Sequence, residues 1–323
     1  MTVHVAVLAA VVVLAAVPAD AQNYPIKPVT LVMPYPPGGG TDFIGRTLTQ
    51  GLERRLGQPF VLEYRPGAGS AIAATYTSRA PADGYTLLYA TSTTMAINVS
   101  VHKRLNYDPT KDLAPIAMIA VSPFILVVNA SLPIKTVPDL VAFAKTKPGA
   151  LTYASNGPGG AAHLFAELLK SMLGIEMTHV PYKGNAPALN DVVAGHVSLM
   201  LVDQSASVQL VRDGKLRVLG ITTAARAPMA PDIPPLAEVG VPGYDAASWH
   251  MIVAPGATPR PILQRLNAEL KAIVSDPATA NELNRRGFAP VASESPEALA
   301  AFVKSEIARW GKVVQQAGAA GIE

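Results

Sequence analysis

The chain has 323 residues, 50% of them hydrophobic, enough apolar side chain for two domains or one large one. Charged residues make up only 15%, and 26 Lys+Arg against 23 Asp+Glu leave a formal charge of +3, too weak and too scattered for a nucleic-acid surface. There is no cysteine, so disulfides, thiolate catalysis and cysteine-ligated metals are excluded.

Val5–Val17 is an uninterrupted apolar run followed by Pro18 and the small-x-small triplet Ala19-Asp20-Ala21. It is too short to span a bilayer and has the layout of a secretory signal peptide covering residues 1–21, with the mature chain starting at Gln22. The first four residues contain no Lys or Arg, so either His4 and the α-amino group suffice or the true start lies upstream.

The mature chain alternates strand and helix. Val29–Met33 reads as a strand, the loop PYPPGGGTD follows, and a helix opens with Ile44, Leu48, Leu52 and Leu56 on one stripe before Gly57 stops it. Thr41 or Asp42 can cap that helix, and the bare glycine backbone before it can turn N–H groups and the positive helix end toward an anion. Phe60–Tyr64 is the next strand, leading to RPGAGS, where Ser70 can cap the segment AIAATYTSRA. Thr86–Ala90 is a third strand, running into Thr91-Ser92-Thr93-Thr94. Strands separated by helix-length segments imply βαβ crossovers and a mainly parallel sheet, which gathers these three loops, with Gly69 and Ser92 in them, on one edge.

After Tyr107-Asp108-Pro109 the pattern restarts, and Val121–Pro123 is read as a crossing into a second domain. Phe124–Val128 is a short strand, and T-x-x-D at Thr136–Asp139 caps the next helix. Leu151–Ala154 feeds a second glycine loop, SNGPGG, and a helix with Leu164, Leu168, Leu169 and Met172 on one side, stopped by Gly174. Met177–Val180, Val197–Val202 and Leu216–Ile221 supply more strands; the chain crosses back near Pro242–Trp249 into the strand HMIVA. Three helices close it, over Pro261–Val274, Ala278–Arg286 and Pro296–Val314.

G-x-x-x-x-G-K-[ST], G-x-S-x-G and H-E-x-x-H are all absent. The histidines show no close pairing in sequence, so no metal site is expected. Gly157, Gly159 and Ala162 match G-x-G-x-x-A, but no acid ends the following strand, which argues against a nicotinamide cofactor. For His163, beside the second loop, a ligand hydrogen bond and a structural role are both open.

The segments YPIKPVTLVMPYPPGGGTD, RPGAG, YDPTKD, SLPIKTVPDL, LTYASNGPGGAAHL, HVPYKGNAPAL and RLNAEL resemble the Bug family, the TctC-type receptors of tripartite tricarboxylate transporters, in order from Tyr24 to the C-terminus. The resemblance implies an α/β fold of the type II periplasmic binding protein class, two lobes in a Venus flytrap around a central cleft. The lobes would be residues 22–122 plus 249–323, and residues 123–248. It implies a carboxylate ligand held by backbone N–H groups and water, with Tyr35, Pro36, Pro37, Gly38, Gly39, Gly40, Thr41 and Asp42 in the first loop. The second loop would be Ser155, Asn156, Gly157, Pro158, Gly159, Gly160, Ala161 and His163. Gly160-Ala161 stands where many relatives carry Gly-Ser, and RPGAGS where Gly-Ala-Gly-Gly is commoner, which leaves the role of Ser70 open. Asp203 follows a strand where relatives often carry an acid; it belongs either to the cleft or to a buried structural network. The expected partners are a small carboxylate and integral-membrane transporter subunits, or a sensor kinase in their place, bound by a periplasmic monomer with no cofactor or metal. A secreted hydrolase using the same cleft is disfavoured, since no nucleophile, base and orienting group recur near either loop.

Overall fold

The computed structural model describes residues 24–321. The signal-peptide reading and the start at Gln22 lie outside those residues. In chain order the first elements are β1 (Val29–Met33), α1 (Gly40–Leu56), β2 (Phe60–Tyr64), α2 (Ala71–Ser78), β3 (Thr86–Thr91) and α3 (Asn98–Val101), with a π-type turn at Thr93–Ile97. Next come β4 (Leu113–Asn129), α4 (Val137–Thr146), β5 (Thr152–Ser155), α5 (Ala161–Leu173), β6 (Thr178–Pro181), α6 (Asn185–Ala194), β7 (Leu199–Asp203), α7 (Gln204–Arg212) and β8 (Leu216–Ile221). The chain ends with β9 (Ala247–Pro255), α8 (Arg260–Ser275), α9 (Pro277–Arg285), β10 (Ala289–Pro290) and α10 (Pro296–Gln316).

The strands run in the order β2-β1-β3-β9-β4-β7-β5-β6, with β8 and β10 also on β4. β1–β2, β1–β3, β5–β6 and β5–β7 are parallel. The strands that join the halves, β9 and β4, are antiparallel to their neighbours, so the sheet is mixed rather than mainly parallel.

The expected crossing at Val121–Pro123 is not a loop. It lies inside β4, which pairs with β9 up to Pro123 and with β7 and β8 from Phe124 onward. Apolar side chains on both faces allow one strand to serve both halves, and nearly all of β4 is buried. Its prolines sit where the ladder tolerates a missing N–H: Pro115 beside a register shift, and Pro123 where the pairing partner changes.

Ile44, Leu48 and Leu52 of α1 are buried against a cluster that includes Leu266, Leu270 and Ile273 of α8. The capping box at Thr136 and Asp139 forms as the sequence implies. On α5 Leu164 and Leu169 are buried and Leu168 packs on the same core, as the sequence implies, but the face is displaced at its end. Met172 is 40% exposed, and Phe165 turns inward instead, its ring 5.2 Å from that of Trp310. α10 ties these parts together, because the buried Glu306 carboxylate accepts from the indole N–H groups of both Trp249 and Trp310 at 2.9 Å.

Glu306→Ala would leave two buried indole donors unpaired, at about 1–3 kcal/mol each when unsatisfied, so a stability loss of about 2–4 kcal/mol is expected. Urea unfolding checks this, and a loss well under about 1 kcal/mol contradicts the role given to Glu306.

Candidate functional site

Parallel pairing puts the carboxyl ends of β1, β2 and β3 on one edge and those of β5, β6 and β7 on another. The loops leaving both edges line one cleft of about 630 Å³. Gly40 and Thr41 of α1, Gly160 and Ala161 of α5, Asn185 of α6, and Asp203 and Ala206 of α7 all reach its wall. Thus four helix N-termini face a common space.

None of those four helices has a side-chain cap. Their N-cap residues are Gly39, Gly160, Gly184 and Asp203, and among the described residues none of these makes a side-chain cap hydrogen bond. Elsewhere α4, α9 and α10 are capped by Thr136, Asp276 and Ser295, whereas α2 and α8 are not capped by a side chain. A helix leaves its first N–H groups without an intrahelical acceptor, and these carry the positive end of its dipole. No lysine or arginine lines the cleft among the described residues. The positive partial charge on its wall therefore comes from the backbone at those helix starts.

In the first loop the structure corrects the expected cap. Neither Thr41 nor Asp42 caps α1; Gly39 holds that position. The Asp42 carboxylate turns back to accept the Gly38 N–H at 2.9 Å, and it also binds Tyr64 Oη and, at 3.1 Å, Arg46 Nε. The Tyr64 hydroxyl, followed by the Gly38 N–H and Arg46, holds its pKa below the usual carboxylate range. Asp42 therefore braces the loop from behind. Pro37, Gly38 and Gly39 lie off the cleft wall, while Tyr35 lines it with its hydroxyl 3.2 Å from Thr91 Oγ1. Gly40 must lack a side chain, since a Cβ there would stand 2.6 Å from the Phe288 ring.

Gly69 lines the cleft, and its carbonyl accepts from Asn98 Nδ2 at 2.9 Å. Ser70 does not cap α2; its hydroxyl lies 2.7 Å from Thr94 Oγ1. Ser92 is buried off the wall, 3.3 Å from Ser248 Oγ, and its neighbours Thr91 and Thr93 face the cleft.

In the second loop Asn156, Gly157, Gly159, Gly160 and Ala161 line the cleft, whereas Ser155 and His163 support them. The Ser155 hydroxyl donates to Gly157 O at 3.0 Å and lies 2.7 Å from His179 Nε2. Gly159 N–H donates to His163 Nδ1 at 3.0 Å, which places the proton of the neutral imidazole on Nε2. Gly159 has φ +69, and a Cβ there would come 2.7 Å from Val101 across the cleft. Although the histidines are unpaired in sequence, the fold stacks His163 on His179 with ring centres 4.0 Å apart, and His179 in turn on Tyr153. No cluster capable of holding a metal occurs among the described residues.

Several wall residues carry no sequence signal of their own. His250 of β9 lies 2.9 Å from Tyr89 Oη through Nδ1 and 2.8 Å from Ser122 Oγ through Nε2. Burial pushes its pKa down to about 4. Phe124 and Phe288 supply apolar wall. Asn185 was not among the expected residues, although HVPYKGN repeats the strand, glycine, helix order of the two loops and could have pointed to it. A larger groove of about 720 Å³ beside α2 has none of these helix N-termini on its wall.

A mixed sheet shared by two halves, with a glycine-walled cleft fed by both, defines a two-lobe solute-binding protein. The family model described as tripartite tricarboxylate transporter family receptor matches residues 44–319. BugT of Bordetella pertussis is 35% identical over 305 residues, covering 94% of this chain and 93% of that protein. The structure of R. palustris Rpa4515 with adipate superposes with TM-score 0.80 at 40% identity, over 91% of this chain and 98% of that one. MatC from Rhodopseudomonas palustris with bound malate gives TM-score 0.76 at 32% identity, over 90% and 100% of the two chains. The chain belongs to the tripartite tricarboxylate transporter receptors, the TctC or Bug family, whose members are periplasmic binding proteins rather than enzymes.

The buried histidines make stability depend on pH. Burial lowers the pKa of His163 below the ordinary 6.5, and burial with the neighbouring His163 takes His179 down to about 4, as burial alone does for His250. The folded state thus binds fewer protons than the unfolded one, so their contribution is complete above pH 6.5 and is lost as pH falls toward about 4. Asp203, raised by burial to about 6, works in the opposite sense as one group against three. Unliganded protein should show falling denaturant midpoints across that window, with less fall in His179→Gln. A flat profile contradicts the neutral stack.

Proposed function

We propose that this chain is a periplasmic receptor that closes its two lobes on a small dicarboxylate and delivers it to the membrane subunits of a tripartite carrier. The observation that carries this reading is convergence: four helices without a side-chain cap, three of them behind glycine N-caps, start on the wall of one cleft. Open N–H groups on helix dipoles suit an anion, and two such sets on opposite walls suit an anion with two ends. Adipate and malate, found in the two relatives above, are both of that kind. A backbone cradle without arginine forks also favours release, since bidentate guanidinium pairs hold carboxylates more rigidly.

The lobes are taken as residues 22–122 plus 249–323, and 123–248. The change of partner in β4 at Pro123 and Phe124 supports that division. The ligand set is taken as the wall residues of the two glycine loops with Tyr35, Gly69 and Asp203. Secretion with removal of residues 1–21 and a monomeric state complete the reading.

Thermal shift with a panel of mono- and dicarboxylates tests it. Ligand at 100 times its Kd adds about 2.7 kcal/mol, a Tm shift of around 5 °C or more in a chain of this size. Monoamides of the same acids should shift it far less. Gly39 has open space around its Cβ position and φ −88, so Gly39→Asp should fold, cap α1 with its own carboxylate and remove most of the shift. Absence of any shift across the panel, or full binding by Gly39→Asp, overturns the reading.

A further inference from the structure

The cleft wall contains a carboxyl group where an anion is to bind. Asp203 ends β7, opposite Phe124 of β4, and its Oδ2 accepts from Asn185 Nδ2 at 3.3 Å. The other titratable groups on the wall are Tyr35 and His250. The Tyr35 hydroxyl faces Thr91, and burial raises its pKa, so it stays neutral. Both ring nitrogens of His250 are engaged by Tyr89 and Ser122. Thr93, at the start of the π-type turn after β3, and Ser248 of β9 face the same space, and no lysine, arginine or glutamate does so among the described residues. An ionised Asp203 would thus meet a bound carboxylate with no cation between them, and two like charges in one enclosed site cannot both remain ionised at neutral pH without a large cost.

Building on the carboxylate reading above, we propose that Asp203 binds the ligand as a neutral acid, taking one proton from solvent on capture and donating its O–H to a ligand carboxylate oxygen. The proton moves from water to Asp203 and returns to water on release, and no other bond changes. O–H···O⁻ hydrogen bonds of this type are among the strong ones, which offsets the loss of a cationic partner. The same arrangement selects ligands: a carboxylate end is accepted opposite Asn185 and Asp203, and an ammonium end finds no fixed negative charge there.

The consequence is a linked equilibrium. Below the pKa of Asp203 in the free protein the proton is already in place and affinity is level. Above it each ligand must bring a proton, and affinity falls tenfold per pH unit, until the pKa of the complex is passed.

Isothermal titration with adipate and malate tests this between about pH 6.5 and about pH 8.5, where ligand carboxyls of pKa near 4 are fully ionised. In buffers of differing ionisation enthalpy, the parent protein should take up close to one proton per ligand, and its Kd should rise by up to about a hundredfold over that range. Asp203→Asn, which keeps an amide donor in place, should bind with a level pH profile and no proton uptake. A level profile without proton uptake in the parent overturns the proposal while leaving the carboxylate reading intact. So does an Asp203→Asn variant that is folded but bound weakly at every pH, which makes Asp203 an ionised acceptor. If neither acid nor any other carboxylate of the panel binds at any pH, the underlying reading fails and this one fails with it.

Discussion

Backbone N–H groups at a helix start must find a partner, and in this molecule four sets of them are left open toward one cavity. Most features of the cleft serve that arrangement. Parallel pairing of β1 with β2 and β3, and of β5 with β6 and β7, puts the following helices on the correct edges. Glycine at 39, 160 and 184 withholds the side chains that cap α4, α9 and α10. Three polar residues of the loops face backward: Asp42 holds Gly38, His163 holds Gly159, and Ser155 holds Gly157. They spend their hydrogen bonds on fixing the backbone, which leaves the backbone to meet the ligand.

The two walls also share a floor. β4 and β9 run from one half to the other side by side, and the cleft floor lies where they cross. There His250 joins β3, β4 and β9 through Tyr89 and Ser122, kept neutral by burial. Further out, α10 sets Glu306 between Trp249 of β9 and Trp310, whose ring packs on Phe165 of α5. Hinge closure of two-lobed proteins concentrates backbone change in a few residues, and a two-strand crossing supplies few.

Much of this was legible in the sequence because local rules and tertiary needs agree there. The stripe Ile44, Leu48, Leu52 before Gly57 names α1, and Leu216–Ile221 is a strand in both sequence and structure. Both glycine loops were visible as strand, glycine, helix junctions. What could not be read is non-local. Only Phe124–Val128 of β4 was read as a strand, after a crossing at Val121–Pro123, yet Pro123 stands where the ladder changes partner and the strand runs through it. Antiparallel pairing of β9 depends on a strand from the far end of the chain. His163 of α5 and His179 of β6 are separated in sequence and stack only in the folded chain, and the roles of Asp42 and Ser155 as braces follow from rotamers that no spacing encodes.

The central claim is that open helix-start amides, rather than cationic side chains, form the anion site. Amide NMR of uniformly ¹⁵N-labelled protein during titration with adipate and malate tests it most directly. The account predicts the largest downfield shifts at Gly40, Thr41, Gly160 and Ala161, on both walls together, because each N–H gains an anionic acceptor. Shifts centred instead on the groove beside α2, around Ile72, Tyr76 and Arg79, or confined to side chains with these four amides unmoved at saturation, would contradict it.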